Sequence, residues 1–359
     1  MKKSKTIIVG AGLSGMVAGI NLARHDYEVE IWEAAKTIGQ LEDFHPAVHA
    51  TPLDPRQVSD YIDIDITGGV VDCRRLIFYI EDQGYEMNAE RFTLVERGGR
   101  KNSLDQYLYR IALDHGIKFR FNTMVKSLSD IPERSIVATG MTKEGMGAIG
   151  VPYELGTAAY ARKKLDNPKY KDCCMGWAGD YTKDYGYLST ANDMMYYLVF
   201  DRGPFSEDQM RRAQQHLMET EGLEFDNWEL HEGVIPILGP DSLKLFKGNR
   251  ILTGTICGMI EPSAMYGIHG ALIAGKIAAL AVTDTEKALQ EFARVNRNFH
   301  RVRRLSANQR RMPMRIPFMR LMFKYPWLMF PTLSLLDDAI PGYDRHWAID
   351  MMKNRKILS

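Results

Sequence analysis

The sequence predicts a mixed α/β (α+β) fold that combines a Rossmann-like nucleotide-binding domain, an antiparallel-sheet domain and a helical C-terminal segment. The first observation is an apolar run, Thr6–Val9, followed at once by the glycine-rich stretch Gly10–Gly15. The second is an alternation of polar and apolar residues at several places between residues 63 and 239, which is typical of half-buried strands. The third is a basic region, Arg294–Lys324, that contains ten Lys or Arg residues and no Asp or Glu.

The composition excludes several classes of protein. The 359 residues are 45% hydrophobic and 25% charged, which is close to the average for soluble globular proteins and excludes a disordered chain, a collagen-like fibre or a multi-span membrane protein. Four cysteines without a C-x-x-C pair argue against a disulfide scaffold and a zinc or iron–sulfur site, and they predict a reduced, cytoplasmic compartment. Neither a signal peptide nor an uninterrupted apolar stretch of ~20 residues is predicted.

The N-terminal motif has the parts of a dinucleotide fingerprint in order. After the first strand, Gly10 allows a tight turn, Gly12 lets the backbone approach a pyrophosphate, and Gly15 lets the following helix pack closely on the strand. The helix start offers N–H groups to the phosphates. A second strand ends just before Glu33, where an acid accepts hydrogen bonds from a ribose hydroxyl. The motif therefore predicts a bound dinucleotide; a glycine-rich turn without a nucleotide is the alternative.

A second match to the same pattern, Gly145–Gly150, is interpreted as a decoy. A strand is predicted before it at Ser135–Thr139, but Pro152 follows the last glycine closely. No long amphipathic helix is predicted there, and the motif requires one.

A block near the other end of the chain also suggests a cofactor contact. A short strand, Asn249–Gly254, leads into Thr255, and a helix with many small residues is predicted after Gly267. Small residues allow close packing on other backbone, and the start of this helix could face a phosphate or a ring carbonyl. A tightly packed core helix is the alternative.

These pieces resemble the FAD-dependent oxidoreductases of the p-hydroxybenzoate-hydroxylase-like fold, and most closely the geranylgeranyl reductase branch. The resemblance rests on the fingerprint, the block Arg97–Leu108, the strand that ends at Gly140, and the block 254–279. In that family these elements wrap one FAD. The resemblance implies the following cofactor-binding residues: Gly10, Gly12, Gly15, Glu33, Arg100, Val125, Thr139, Gly140, Thr255, Pro262, Gly267 and Ile268.

Three departures from the family bear on the reaction. Thr255 stands where the family usually has an Asp that holds the ribityl chain, so either its hydroxyl takes over or the cofactor is held more loosely. The hydroxylases' Asp-Gly after the strand near Gly140 is missing, which argues against aromatic hydroxylation with their NADPH contact. The halogenases' Trp-x-Trp-x-Ile-Pro is missing as well.

The family arrangement predicts a discontinuous FAD-binding domain made of residues 1–40, 95–160 and 245–290. Residues 41–94 and 161–244 are then a substrate domain, and residues 291–359 a basic, apolar and helical C-terminal segment. Strands of the substrate domain are predicted at 63–67, 91–95, 187–189, 194–201 and 233–239, and a surface helix at 207–221. These strands should form a mostly antiparallel sheet over the flavin.

Few protein groups are required for catalysis, because FAD carries the difficult chemistry. Tyr185, Tyr187 and Tyr266 are candidate proton donors or pocket walls, with ordinary packing as the alternative. His269 could steady a negative charge on the reduced ring, or simply pack at the helix start. His45 and His49 have the spacing of helical metal ligands, but the intervening proline breaks a helix, so no metal is predicted.

The basic region continues into residues rich in Met, Phe and Trp, and this composition fits three interpretations. It is a solvated helix, a nucleic-acid arm, or a surface that contacts a membrane or admits an oily substrate. Cationic segments rich in Trp, Phe and Leu lie in the headgroup interface, so residues 294–330 predict peripheral membrane contact on the inner face, and no nucleic acid.

The sequence therefore predicts an FAD-dependent oxidoreductase that reduces C=C bonds of a hydrophobic, isoprenoid- or lipid-like substrate. NAD(P)H or a redox protein is expected as the electron donor. One alternative is a flavin monooxygenase that acts on a lipid or quinone. Another is a dinucleotide-binding protein without catalytic activity.

Overall fold

The structure, a computed structural model, describes residues 3–40, 45–182, 184–237, 244–260, 266–310, 314–333 and 345–358. The strands are β1 (Lys3–Val9), β2 (Tyr27–Trp32), β3 (Ala47–Pro52), β4 (Val71–Asp72), β5 (Arg75–Ile80), β6 (Gln83–Met87), β7 (Phe92–Arg97), β8 (Lys118–Arg120), β9 (Ile136–Val137), β10 (Tyr153–Lys164), β11 (Cys173–Ala178), β12 (Tyr185–Ala191), β13 (Met194–Asp201), β14 (Glu229–Pro236), β15 (Phe246–Lys247), β16 (Arg250–Leu252) and β17 (Lys356–Ile357). The helices are α1 (Leu13–Arg24), α2 (Pro55–Ile62), α3 (Leu104–Asp114), α4 (Lys143–Ile149), α5 (Glu207–Glu221), α6 (Gly267–Thr283), α7 (Thr285–Arg310), α8 (Arg315–Lys324), α9 (Phe330–Leu333) and α10 (Arg345–Lys353).

The first sheet is Rossmann-like, with the strand order β15-β16-β9-β1-β2-β8. All of its strand pairs are parallel except β15 with β16. From β1 the chain continues to β2 on one side of the sheet, whereas β9 lies on its other side. The gap between β1 and β9 is therefore the topological switch point, where open α/β sheets bind ligands. Its core is fully buried, as at Ile8, Ile31, Ile136 and Ile273. The predicted fold class is confirmed.

The second sheet has eight strands in the order β14-β10-β13-β12-β11-β5-β6-β17. Its pairs are antiparallel except β11 with β5, so the predicted antiparallel sheet is present. Successive residues of β13 face opposite sides: Tyr197 packs in a core that includes Leu217 of α5, and Tyr196 packs in one that includes Leu94 and Met352. The second side faces a three-stranded sheet in the order β3-β7-β4.

The predicted strand at 63–67 is wrong. Ile64 and Ile66 are buried, as the alternation indicated, but the chain is a turn that follows α2. Asp63 adopts a left-handed conformation with φ of 54°, and the N–H groups of Ile64 and Ile66 donate to the carbonyl and hydroxyl of Ser59. Hydrogen bonds to the end of a helix therefore replace those of a strand partner.

The sheets do not follow the predicted domain limits at two places. β10 begins at Tyr153 and belongs to the eight-stranded sheet, although the limit was placed at residue 160. The predicted C-terminal helical segment ends in β17, which pairs with β6 of that same sheet. The division into domains otherwise stays a prediction.

The C-terminal helices cover the eight-stranded sheet. Met352 of α10 is buried in the core beside that sheet, and Phe323 of α8 stacks on Phe78 of β5 with ring centroids 5.1 Å apart. In the part of the chain that the structure describes, no helix is both long enough and apolar enough to cross a membrane.

Candidate functional site

The glycine loop between β1 and α1 lies at the switch point. A Cβ on Gly10 would lie 2.3 Å from the carbonyl oxygen of Ala138, and a Cβ on Gly15 would lie 2.0 Å from the carbonyl oxygen of Gly10. Both glycines therefore serve packing. A Cβ on Gly12 would have no described atom within 4 Å, and this open side faces a cavity of about 720 Å³. The open side of Gly12 is where a ligand can approach the backbone.

Glu33 fixes the shape of this loop. Its buried carboxylate accepts hydrogen bonds from the N–H groups of Ala11 (2.9 Å) and Ala35 (2.8 Å). Burial raises the pKa of Glu33, and these backbone hydrogen bonds oppose the shift. A carboxylate has about four acceptor positions, so Glu33, which lines the cavity, retains acceptors for a ribose hydroxyl.

Two further loops complete the polar end of the cavity. Thr139 and Gly140 follow β9, and among the described residues no group hydrogen-bonds to the buried hydroxyl of Thr139. Thr255 lies in a 3-10 turn, and its hydroxyl is 4.0 Å from the position of a Cβ on Gly267, the first residue of α6. The N–H groups at the start of α6 have no intrahelical partner, so this end of the helix can face a polar ligand.

The structure brings most of the predicted site residues together. The following line the cavity: Gly10, Gly12, Glu33, Val125, Thr139, Gly140, Thr255, Gly267, Ile268, Tyr185, Tyr187 and Tyr266. Arg100 instead pairs with Glu96 (3.1 Å) and Asp193. His269 is buried in α6 and is not part of the lining, so its role stays a prediction. Pro262 lies outside the described residues.

A buried ion pair that sequence reasoning missed also lines the cavity. Arg97 donates two hydrogen bonds to Asp105, of 2.8 and 2.9 Å, and the N–H of Gly98 donates a third. Burial alone would raise the pKa of Asp105, but the Arg97 charge and these hydrogen bonds hold that pKa below its usual range. Both residues lie in the block 97–108 that carries the family resemblance, but the predicted cofactor-binding residue in that block is Arg100.

His49 and Tyr187 form a hydrogen-bonded pair in the wall of the cavity. The Tyr187 hydroxyl lies 2.9 Å from Nδ1 of His49, which comes from β3. Burial lowers the pKa of His49 to about 3 and raises the pKa of Tyr187. Both groups are therefore neutral near pH 7. The described residues contain no group of three or more His, Cys, Asp or Glu arranged to hold a metal ion.

Most of the remaining cavity wall is apolar, although Arg315 and Asp184 line it as well. Its far wall is made of aliphatic, aromatic and methionine side chains from β5, α8 and α10: Leu76, Phe78, Phe318, Met319, Met322, Phe323, Met351 and Met352. The described part of the chain thus provides one space with a polar end and an apolar end.

The family model that describes the NAD(P)-binding Rossmann-like domain matches residues 8–45, which confirms a dinucleotide-binding type of domain. No curated protein matches the sequence.

Solved structures resemble the chain over most of its length. The flavin-dependent brominase Bmp2 is 14% identical, with a TM-score of 0.65 over 97% of each chain. The p-nitrophenol 4-monooxygenase PnpA from Pseudomonas putida is 12% identical, with a TM-score of 0.61 over 89% of this chain and 92% of its own. CtdE, solved in complex with FAD and a substrate, is 15% identical, with a TM-score of 0.61 over 86% of this chain and 89% of its own. The likeness shows that the chain has the fold of these proteins.

Replacing His49 by Gln should make the protein less sensitive to acid. The imidazole has a pKa of about 3 in the folded protein and an ordinary value of 6.5. Between these values the unfolded state binds more protons, so stability is lost as the pH falls from 6.5 toward 3. At about pH 5 the loss due to His49 is about 1–2 kcal/mol. Urea unfolding at about pH 7.5 and about pH 5 should show a smaller loss for His49→Gln than for wild type.

The control is His115→Gln, which changes an exposed histidine after α3. It should lose as much stability on acidification as the wild type. An equal loss in His49→Gln would contradict the neutral, buried state of His49.

Proposed function

We propose that the protein is an FAD-dependent oxidoreductase that reduces C=C bonds of an apolar, isoprenoid- or lipid-like substrate. The observation that supports this function most is the single cavity, which extends from the glycine loop past the Tyr187–His49 pair to a wall of methionine and aromatic side chains. A nucleotide site and an apolar substrate site share one space.

The polar end of the cavity has groups that fit FAD. Gly12 would leave room for the pyrophosphate beside the first N–H groups of α1, and Glu33 would accept a hydrogen bond from a ribose hydroxyl. Thr139 offers a hydroxyl with no partner among the described residues, and Thr255 offers a second hydroxyl beside the start of α6. The similarity to CtdE, whose structure contains FAD, supports the same cofactor. When bound, FAD supplies the hydride for the reduction.

The Tyr187–His49 pair is suited to supply the proton. Reduction of a C=C bond requires a proton at the carbon that does not receive the hydride. Tyr187 keeps its phenolic proton because burial raises its pKa, and it faces the cavity. The Nδ1 atom of His49 is within hydrogen-bond distance of the Tyr187 hydroxyl, so His49 can hold the phenol in place, and a proton from solvent would restore the phenol after the transfer. We assign Tyr187 as the proton donor and His49 as its positioning residue.

A flavin monooxygenase that acts on a lipid or quinone is the second candidate. The similarity to p-nitrophenol 4-monooxygenase favours it. The residues after β9 favour reduction, because Gly140-Met-Thr stands where the hydroxylases have Asp-Gly.

We further propose a cytoplasmic protein that receives electrons from NAD(P)H or a redox protein. Its basic and apolar region, residues 294–330, then makes peripheral contact with the inner face of a membrane, where apolar substrates reside.

Gly12→Val should yield folded but colourless protein. The valine side chain would occupy the space beside the loop that the pyrophosphate requires, and it would meet no described protein atom at Cβ. Purified wild type should show a flavin spectrum, whereas Gly12→Val should not, and its Tm should be within about 4 °C of wild type from which the flavin has been removed.

The control for this variant is Gly147→Val. Gly147 lies exposed on α4, outside the cavity lining, and it also has no described atom within 4 Å of a Cβ. This variant should keep its flavin. Stoichiometric flavin in Gly12→Val would rule out the assignment of the loop.

Incubation of the chemically reduced protein with a polyunsaturated isoprenoid should separate the two reactions. Without oxygen, we expect a product that has gained two hydrogens per reduced bond, measured by mass spectrometry. With oxygen and NAD(P)H, a monooxygenase would consume oxygen in proportion to substrate and add an oxygen atom. Substrate-dependent oxygen uptake without any anaerobic product would establish the second candidate.

Tyr187→Phe should lower the rate of C=C reduction by about 10²–10⁴-fold, because it removes the proton donor. Flavin content and spectrum should not change. The control is Tyr160→Phe, which removes a hydroxyl that donates to Glu229 outside the cavity lining. His49→Gln, which retains a hydrogen-bonding group, should lose less of the C=C reduction rate than His49→Leu. A Tyr187→Phe enzyme with the wild-type rate would exclude Tyr187 as the donor.

A further inference from the structure

Helix α8 has two apolar faces, and only one of them is covered. Phe318, Met319, Met322 and Phe323 line the cavity. Three large apolar side chains on another face are exposed. They are Met314 (66%), just before the helix, Leu321 (47%), within it, and Tyr325 (42%), just after it. These three residues are separated by seven and four positions, which places them on one side of a helix.

Trp327 extends the exposed face beyond the end of α8. Its side chain is 61% exposed, in the short 3-10 turn that follows the helix. Four large apolar side chains are thus exposed within one short region. Isolated exposed apolar residues are ordinary on a soluble protein, but a contiguous group marks an interaction surface. We call Met314, Leu321, Tyr325 and Trp327 the outer face of α8.

One lysine borders this outer face, and a second lies close to it in the C-terminal helices. Lys324 is exposed and lies over the Tyr325 ring, 5.6 Å from its centroid, and Lys353 of α10 is exposed as well. Arg320 of α8 is paired with Glu81 and Asp82, and Lys353 lies over the Phe330 ring, 5.5 Å from its centroid. No acidic residue lies between 292 and 336 in the sequence.

We propose that the outer face of α8 docks on the anionic surface of a lipid bilayer, and that the apolar substrate passes from the bilayer into the cavity beside α8. Aromatic side chains with lysines at their edge suit the headgroup region, where an apolar ring and a polar surrounding meet. The inner face of the same helix is the cavity wall, so docking places the apolar end of the cavity next to the lipid. The docking surface narrows the membrane contact proposed above for residues 294–330 to one face of α8, and the entry route rests on the proposed reaction with an apolar substrate.

The test is co-sedimentation of the 359-residue chain with phosphatidylcholine vesicles and with vesicles that also contain phosphatidylglycerol. Wild type should bind the anionic vesicles, and less so at high salt, because exposed charges are screened. Leu321→Ser combined with Trp327→Ser should lower the partition coefficient by about 10-fold or more at either salt concentration, because burial of apolar area is not screened. Lys324→Gln combined with Lys353→Gln should weaken binding mainly at low salt.

The matched control is Leu230→Ser. Leu230 is 60% exposed on β14, the strand at the edge of the eight-stranded sheet away from β5, on which α8 packs. This variant should bind vesicles like the wild type. Brominated lipid should quench tryptophan fluorescence in the wild type, and this quenching should be lost in Trp327→Phe.

Three results would overturn the docking surface. One is a wild type that ignores both kinds of vesicle. Another is equal loss of binding in Leu230→Ser and the double serine variant. The third is a dimer in sedimentation velocity that the double serine variant dissociates, which would assign the outer face to a second copy of the chain.

The visible spectrum of each variant separates docking from the proposed function. Vesicle binding by a protein without flavin would leave the docking surface standing and overturn the FAD assignment. A protein that retains flavin but does not bind vesicles would overturn the docking surface and leave the FAD assignment standing.

Discussion

The backbone contact between the glycine loop and the segment after β9 is the constraint on which the site depends. Gly10 lies so close to Ala138 that a Cβ would come within 2.3 Å of its carbonyl oxygen. Because no side chain intervenes, the ends of β1 and β9 meet at the switch point of the sheet. Gly12 and Thr139 consequently line the same cavity, although they are far apart in the chain.

The same kind of contact joins the C-terminal block to the fingerprint. A Cβ on Gly275 would lie 2.5 Å from the carbonyl oxygen of Ser14, and a Cβ on Gly270 would lie 2.1 Å from that of Met259. Helix α6 therefore packs on α1 at backbone distance, which places its first residues, Gly267 and Ile268, in the cavity beside the glycine loop. Gly270 and Gly275 of α6 therefore serve this close approach of backbone to backbone.

Local patterns predicted much of this fold, and long-range contacts explain what they missed. The helix at Glu207–Glu221 has a capping box at Ser206 and was predicted with its observed limits. His49 and Tyr187 are 138 positions apart, and only the packing of β3 against β12 brings them together. Arg97 and Asp105 are close in sequence, but Arg97 ends β7 and Asp105 lies in the first turn of α3, so no single helix or strand periodicity marks them as a pair. Alternation of polar and apolar residues at Asp63–Asp65 is compatible with a strand and with the turn after a helix. The strand predicted at 63–67 was wrong for this reason.

The order of polarity along the cavity explains why a neutral donor suits the site. Glu33, Thr139 and the start of α6 form the polar end, whereas Phe78, Met322 and other apolar side chains form the opposite end. Tyr187 and His49 stand in the wall between these ends without net charge, because burial holds the pKa of His49 at about 3. An alkene offers no hydrogen bond to compensate a charged group, and an unpaired buried charge is costly. A phenol held by a neutral imidazole avoids that cost while keeping a proton at the boundary where substrate and cofactor would meet.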